Sequence, residues 1–452
     1  MLLAKQGLDV VVLDRDEPAP QSAADAWDSW ERRSVAQFRQ VHFLQPAGRV
    51  LLEEHLPTVV DELTNAGAVR YNFAEGYAKL VPGRPGDFDY GRFETLTTCR
   101  RPVMEFAFVA AARATHGVEI RSDCVVTELV TGASVIDGVP HVVGVKTKAG
   151  DTVLADLVVD VAGRRTPVPT MIEATGAPRP EERSVEVGFA YNTQYYRGSS
   201  LPEIRGDGLA SVGSFSLLTM PGDNGYWSLT LYHSPLDKAM RKVRDTKVFN
   251  RVVRSLPLHA HWADGDPVGN VVSMASTANT TRQFVSDGRP CATGLVPIGD
   301  AWGFTNPSIG RGITLGLKHA VGLAPILANT LDRPAELATA WDIETQGNAL
   351  PWHQATVQFD RVRGPEVEAL RLGLPDPFAK DRIVGGSRAF ASASHYDEQV
   401  LNWMSEMQSC LSLPSEVVSR EGVLERVRRV ARENPPYETP GPDRVQLEGL
   451  LS

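Results

Sequence analysis

Apolar and polar positions are patterned in three ways along this chain, and each predicts a different kind of element. Val10-Val11-Val12-Leu13 is an unbroken apolar run closed by Asp14, the pattern of a strand buried on both faces of a parallel sheet. Ahead of it, Met1 to Gly7 reads as the last turns of a helix with Gly7 at the C-terminal cap. Gly48 to Leu56 is helical by its apolar spacing, and Arg101-Pro102-Val103-Met104-Glu105 opens a helix that continues to about Thr115. Residues 118–162 read as a three-stranded meander with runs at Val118–Val130, His141–Thr147 and Thr152–Val161. Strict alternation then predicts antiparallel strands at Val185–Thr193, Leu209–Thr219 and Tyr226–His233. A charged helix, Pro235–Leu256, separates these from a further strand near Gly269–Thr277. A short apolar strand stops at Gly299-Asp300, followed by a Pro/Gly loop and a small-residue helix over Ile313–Asn329. Residues 334–452 are mainly helical by pattern, broken at Pro351, Pro365, Pro375-Asp376-Pro377 and Pro435-Pro436, with Trp341, Trp352 and Trp403 as core anchors.

Composition narrows the function classes. The 452 residues suit two or three domains with large cores. A net charge of -9 with no basic run argues against nucleic acid as a partner. Cys99, Cys124, Cys291 and Cys410 lie far apart without a Cys-x-x-Cys pair, which disfavours zinc or a disulfide framework. No apolar run reaches membrane-spanning length and no secretory leader is visible, so a cytoplasmic location is expected.

The stretch with most chemistry in it is Gly299-Asp300 through Thr305-Asn306-Pro307-Ser308-Ile309-Gly310-Arg311-Gly312-Ile313-Thr314. A carboxylate at a strand end can accept hydrogen bonds from sugar hydroxyls. Glycines at 310 and 312 let backbone approach a flat ligand, and the helix start offers unpaired N–H groups to an electron-rich atom. An ordinary strand-loop-helix crossover has the same spacing. Asp14 can likewise sit on a nucleotide ribose at the end of its strand, and Arg101 at a helix start can pair with a phosphate. Tyr191, Tyr195, Tyr196, Tyr226, Trp227, Tyr232 and His233 are candidate pocket liners, of which alternation points about half inward.

Gly299-Asp300, Pro307 and Gly310-x-Gly312, in that order, resemble the second flavin-contacting motif of flavin-dependent aromatic hydroxylases, the p-hydroxybenzoate hydroxylase superfamily. Arg101, Met104 and Glu105 resemble that family's Arg-x-x-Leu-Glu, with Met for Leu. The resemblance implies an α/β fold: a Rossmann-like FAD-binding domain, an inserted antiparallel-sheet substrate domain and a helical C-terminal extension. Its segments would be 1–75, 99–183 and 291–333 for the FAD domain, 76–98 for an excursion, 184–290 for the substrate sheet, and 334–452 for the extension. It implies FAD contacts at Asp14 and Arg15 (ribose), Arg39 or Arg49 (ribityl-phosphate), Arg101 (phosphates) and Val125 or Val126 (adenine). Asp300 would bind the ribityl chain, and Pro307, Gly310, Gly312, Ile313 and Thr314 would meet the ring edge. His42 could sit near the ring or simply pack locally.

Two departures qualify the resemblance. The first strand and the G-x-G-x-x-G turn should lie immediately upstream of the Met1–Gly7 helix and are absent, as expected if the natural reading frame starts further upstream or, alternatively, if the protein has lost its pyrophosphate loop. The middle motif reads Asp160-Val161-Ala162-Gly163, so its Asp-Gly pair is not intact and the use of NAD(P)H as electron donor is less supported than flavin binding; a separate flavin reductase could supply electrons instead. The implied activity is a monooxygenase, hydroxylating or epoxidising a small aromatic or polyketide-like molecule through a flavin hydroperoxide. Alternatives are a reductase of the geranylgeranyl type and a cofactor-free binding protein; a halogenase is disfavoured because Trp-x-Trp-x-Ile-Pro is missing.

Overall fold

The computed structural model describes residues 1–80, 90–378 and 386–452. Its parallel strands form two separate pairs. Val10–Leu13 runs parallel to Val118–Arg121, and Val158–Asp160 runs parallel to Leu295–Pro297. In the first pair Val10 N donates to Gly117 O at 2.8 Å and Asp14 N to Arg121 O at 2.9 Å. Because a strand's backbone groups alternate in direction, those of Val11 and Leu13 point to the other side, where no strand among the described residues pairs with them. Val158–Asp160 has one partner strand in the same way. Both pairs line one large cavity, and Val11 and Val12 remain 39% and 36% exposed. Parallel strands are normally covered on both faces and edges, so each pair has the form of half a sheet.

The expected meander is shifted. Its strands are Val126–Ile136, Val139–Thr147 and Thr152–Leu154. Asp123, with φ at 55°, turns the chain out of Val118–Arg121, and Val158–Asp160 leaves to join the second parallel pair.

The second layer is a six-stranded sheet in the order Leu209–Val212, Phe215–Pro221, Tyr226–His233, Glu181–Arg197, Asp266–Gln283, Gly303–Phe304. The run expected as one strand over Leu209–Thr219 is a hairpin, because Gly213 at φ 49° reverses the chain. The charged helix expected over Pro235–Leu256 is a 3-10 segment, Ala239–Arg244, and an α-helix, Thr246–Arg254. Asp245 divides them, its carboxylate accepting from Lys247 N at 2.8 Å and Val248 N at 3.1 Å, which is a helix start and not an interior position. That helix buries Phe249, Val252 and Val253 against Tyr196, Trp227, Leu229 and Leu231 on the sheet's outer face.

The C-terminal region is helical, but Pro351 and Pro365 do not break it. Leu350–Arg371 is one helix, with Pro351 in its first turn and Pro365 inside. Proline there removes a hydrogen bond. The helix stays continuous because Val367 packs against Phe189, Tyr191 and Tyr232, and buried Arg363 donates to Phe215 O at 2.8 Å. Trp341 and Trp352 are buried and Trp403 is partly so. The chain around Pro375-Asp376-Pro377 leads into positions outside the described residues.

Candidate functional site

A cavity of about 2520 Å³ runs from the two half-sheets, past the start of the Gly312–Thr330 helix, to a chamber between the six-stranded sheet and the C-terminal helices. At the half-sheet end, Asp14 Oδ1 accepts from Asp16 N at 3.1 Å and Oδ2 from Arg32 Nη2. Arg32 continues to Glu105 at 2.6 Å, Glu105 to Arg101, and Arg101 Nη1 lies 3.0 Å from His42 Nε2. Burial opposes ionisation of Glu105, but Arg101 and Arg32 hold its carboxyl below the usual range. His42 Nδ1 is 3.0 Å from Gln40 O, a pure acceptor, so the proton sits on Nδ1 and Nε2 receives the Arg101 N–H. Burial and then the Arg101 cation push His42 down to about 3, so it is neutral at ordinary pH.

The centre of the cavity is the Gly299–Asp300 turn and the helix start. Gly299 N donates to His319 Nδ1 at 3.0 Å. Asp300 lies 4.0 Å from Arg164 Nε, and Arg164 rests 5.1 Å over the Phe304 ring. Burial raises the Asp300 carboxyl, opposed by Arg164, Arg101 and Arg282. Arg282 fastens this turn: it donates to Asp300 O at 3.1 Å, Ala301 O at 2.9 Å and Arg164 O at 3.0 Å while paired with Glu182. Loop 305–310 is held from three elements. Asp360 accepts from Ser308 Oγ at 2.6 Å and Asn306 Nδ2 at 3.2 Å, Tyr191 Oη donates to Asn306 at 2.6 Å, and Gln45 Nε2 donates to Ile309 O at 2.9 Å. Gly310 takes φ 61°, which favours glycine, and a Cβ there would lie 2.6 Å from Phe43. The 19-residue helix that follows has no side-chain cap, and a Cβ on Gly312 would meet no atom within 4 Å. Gly312 and Ile313 line the cavity, so the positive end of the helix dipole lies at its wall.

Most of the predicted site residues share this cavity. Asp14, Arg15, Arg101, Val125, Asp300, Pro307, Gly310, Gly312 and Ile313 all line it. Arg39 does not: its guanidinium is engaged by Trp27 O, Trp30 O and Glu31. Arg49 is likewise turned to Glu94 O and Glu53. Thr314 is buried, its Oγ1 accepting from Gln45 N at 2.9 Å, so it ties the helix to the neighbouring Pro46–His55 helix. Of the aromatic candidates, Tyr191 and Tyr232 line the chamber. Tyr196 and Trp227 stack on the outer face, and Tyr195 and Tyr226 pack around Trp27. Arg32 and Arg282 had no local signal, because what marks them is a partner 18 to 118 residues away.

No family profile matches the sequence. Protein Rv3254 of Mycobacterium tuberculosis is 26% identical over 388 residues, 77% of this chain and 77% of its own. PqsL of Pseudomonas aeruginosa, a probable FAD-dependent monooxygenase, superposes with a TM-score of 0.57 at 16% identity, over 81% of this chain and 92% of its own. OxyS, an anhydrotetracycline hydroxylase of Streptomyces rimosus, gives 0.54 at 17%, over 89% and 71%. The flavin-dependent brominase Bmp2 gives 0.53 at 15%, over 94% and 98%.

The chain has the fold of the FAD-dependent monooxygenases.

Within that fold, the half-sheets and the Gly312–Thr330 helix form one layer, the six-stranded sheet a second, and the segment after Pro334 is helical. A hydroxylase and a brominase share it, so fold alone does not decide the reaction. Among the described residues, no helix is long and apolar enough to cross a membrane.

Proposed function

We propose that the protein is an FAD-dependent monooxygenase that hydroxylates or epoxidises a small aromatic or polyketide-like molecule in the cytoplasm. The observation that carries this reading is the uncapped helix start at Gly312, which lines the cavity between the end walled by the two parallel strand pairs and the end lined by Tyr191 and Tyr232. The residues present fit the cofactor at both ends. Gly312 and Ile313 offer donors to an electron-rich ring edge, Asp300 stands beside them for the ribityl hydroxyls, and Asp14 with Arg15 and Val125 lines the nucleotide end. Between these ends lie the edges of Val10–Leu13 and Val158–Asp160 that pair with no further strand among the described residues.

The chemistry FAD supplies when bound is two-electron transfer and activation of dioxygen. The chain's own contribution is positioning and electrostatics. Preset N–H donors at the helix start stabilise negative charge on the ring edge without reorganising. Neutral His42, held by Arg101 and Gln40 O, adds no cation of its own beside that ring. Tyr191 and Tyr232 present an aromatic wall to the substrate, with Tyr191 Oη occupied by Asn306.

NAD(P)H is the electron donor in this reading, directly or through a flavin reductase. The second route is supported by Asp160, whose carboxylate is tied to Ala162 N at 3.0 Å and Thr166 Oγ1 at 2.7 Å. The test is reaction of the FAD-loaded protein with reductant and labelled dioxygen. One labelled oxygen atom in the product is the expected result; a reduced double bond without label would replace the monooxygenase by a reductase. The unpaired strand edges favour a second reading, a cofactor-free binding protein, which would stay colourless with FAD under all conditions.

A further inference from the structure

The outer wall of the chamber at its far end is a strap that the functional reading does not use. Residues 434–443 cross from the Val423–Glu433 helix to the Arg444–Leu450 helix without regular secondary structure. Tyr437, Thr439, Gly441 and Pro442 line the cavity, while Pro435, Pro440 and Gly441 are exposed to solvent. A single thickness of chain thus separates the chamber from water here. Both ends of the strap are anchored. Val427 and Val430 are buried among the C-terminal helices, and Leu447 and Leu451 on the outer face of the six-stranded sheet. Asp443 Oδ1 accepts from Gln446 N at 2.8 Å to cap the second helix, and Arg444 pairs with buried Asp237 at 2.5 Å.

Between its anchors the strap is held lightly. Pro435, Pro436, Pro440 and Pro442 have no N–H to donate, so half of the stretch from Pro435 to Pro442 cannot join a hydrogen-bond ladder. Tyr437 N donates to a side chain, Ser392 Oγ, at 2.8 Å. The Tyr437 ring lies flat on His395, with centroids 3.6 Å apart and planes 11° apart. His395 belongs to the fixed wall: its Nε2 is 2.9 Å from Asp207 Oδ2 and its Nδ1 is 3.0 Å from Ala391 O. Ser392 and His395 sit together at the end of the Ser387–Ala393 helix, so one tyrosine fastens the middle of the strap to one helix end. A segment with few backbone hydrogen bonds between firm ends opens locally at lower cost than the elements it joins. In the functional reading the cofactor fills the half-sheet end and the centre of the cavity, which leaves the far end for the substrate to enter.

We propose that residues 434–443 are a gate over the substrate chamber, latched by Tyr437 against His395 and Ser392. The gate rests on the functional reading above for what fills the other end of the cavity.

The test locks the strap reversibly by combining Gly441→Cys with Val212→Cys. A Cβ on Gly441 would lie 3.8 Å from Val212 Cβ, a spacing that a disulfide spans, and its 2.5 Å approach to Val212 Cγ1 disappears with the valine. The readout is uptake of the fluorescent probe 2-methoxynaphthalene, followed by stopped flow in protein incubated with FAD and dialysed. Uptake should slow about tenfold or more when the cysteine pair is oxidised, because local opening is then blocked, and recover on reduction. Tyr437→Ala should speed uptake by roughly 2- to 12-fold, the scale of one aromatic stack, and Tyr437→Phe, which keeps the ring, should match the parent. Uptake at one rate in the oxidised and reduced pair, no uptake in either, or a Tyr437→Ala rate equal to that of the parent overturns the proposal. If the cysteine pair fails to fold, the tyrosine variants decide alone. Difference absorbance of the dialysed protein reads the cofactor proposal separately: uptake that slows on oxidation in a chain without bound FAD keeps the gate and removes the cofactor reading.

Discussion

Replacing Gly312 by leucine separates a cofactor-binding role from a structural one. An ideal Cβ on Gly312 meets nothing within 4 Å, and its backbone is not in the left-handed region. Without ligand, the added side chain therefore has space. Leucine also has the better helix propensity, by up to about 0.8 kcal/mol in a helix interior and less at a first turn. The flavin-free variant should be as stable as the parent or slightly more so. With FAD, the side chain occupies the volume the ring edge needs. Overpacking a fitted site costs about 1–3 kcal/mol, so affinity should fall by roughly 5- to 150-fold. Gly310→Ala is the contrast: its φ of 61° and a 2.6 Å approach to Phe43 predict lost stability before any ligand is added. The assay is urea denaturation of the flavin-free proteins beside FAD fluorescence titration. A Gly312→Leu protein that binds FAD as the parent does refutes the placement of the ring at this helix start.

Other consequences follow from the electrostatics. His42, pushed down to about 3, should show ring carbon NMR shifts that do not move between pH 5 and 8; a midpoint in that window would contradict the Arg101–His42 arrangement. Burial raises Asp360 to about 6 from its ordinary 3.8 despite its bonds to Ser308, Asn306 and Asn279. A raised carboxyl favours the fold below the unfolded value and loses that advantage as pH rises through about 6. The stability of Asp360→Asn relative to the parent should thus improve by up to about 3 kcal/mol between pH 4 and 7; a flat difference would show that the carboxylate is fully compensated. Arg100 and Asp223 form a bidentate pair with side chains 6% and 0% exposed, and Arg100 lies 3.9 Å over Tyr226. Asp223→Ala strands a buried cation and should cost about 3–5 kcal/mol in urea denaturation, whereas a loss under 1 kcal/mol would mean that water reaches Arg100.

How much was legible in the sequence depended on how local the cause was. Val10–Leu13, the strand ending before Gly299 and the Gly312–Thr330 helix were readable because an apolar run, a glycine and a helix start lie within a few residues of one another. Asp245 as a helix cap and Gly213 as a hairpin turn were written locally too, but alternation and charge pattern outweighed them. Pro365 was misread because the packing of Val367 and Arg363 that keeps its helix continuous is tertiary. Arg39 resembled a phosphate contact by position, yet three acceptors from residues 27–31 engage it. Asp207 and His395 lie 188 residues apart and gave no signal at all. That Val10–Leu13 and Val158–Asp160 each pair with one strand among the described residues, leaving an edge on one cavity, was not legible, because pairing joins residues more than 100 apart.

Those edges also set the decisive measurement. FAD should be titrated by difference absorbance into two proteins: the 452-residue chain, and the same chain with a parallel apolar strand and glycine-rich turn grafted ahead of Met1. The account predicts a bound flavin spectrum that survives dialysis, at one cofactor per chain, in the grafted protein, and weaker binding in the ungrafted one. Two proteins that both remain colourless after dialysis would contradict the claim that this fold holds FAD.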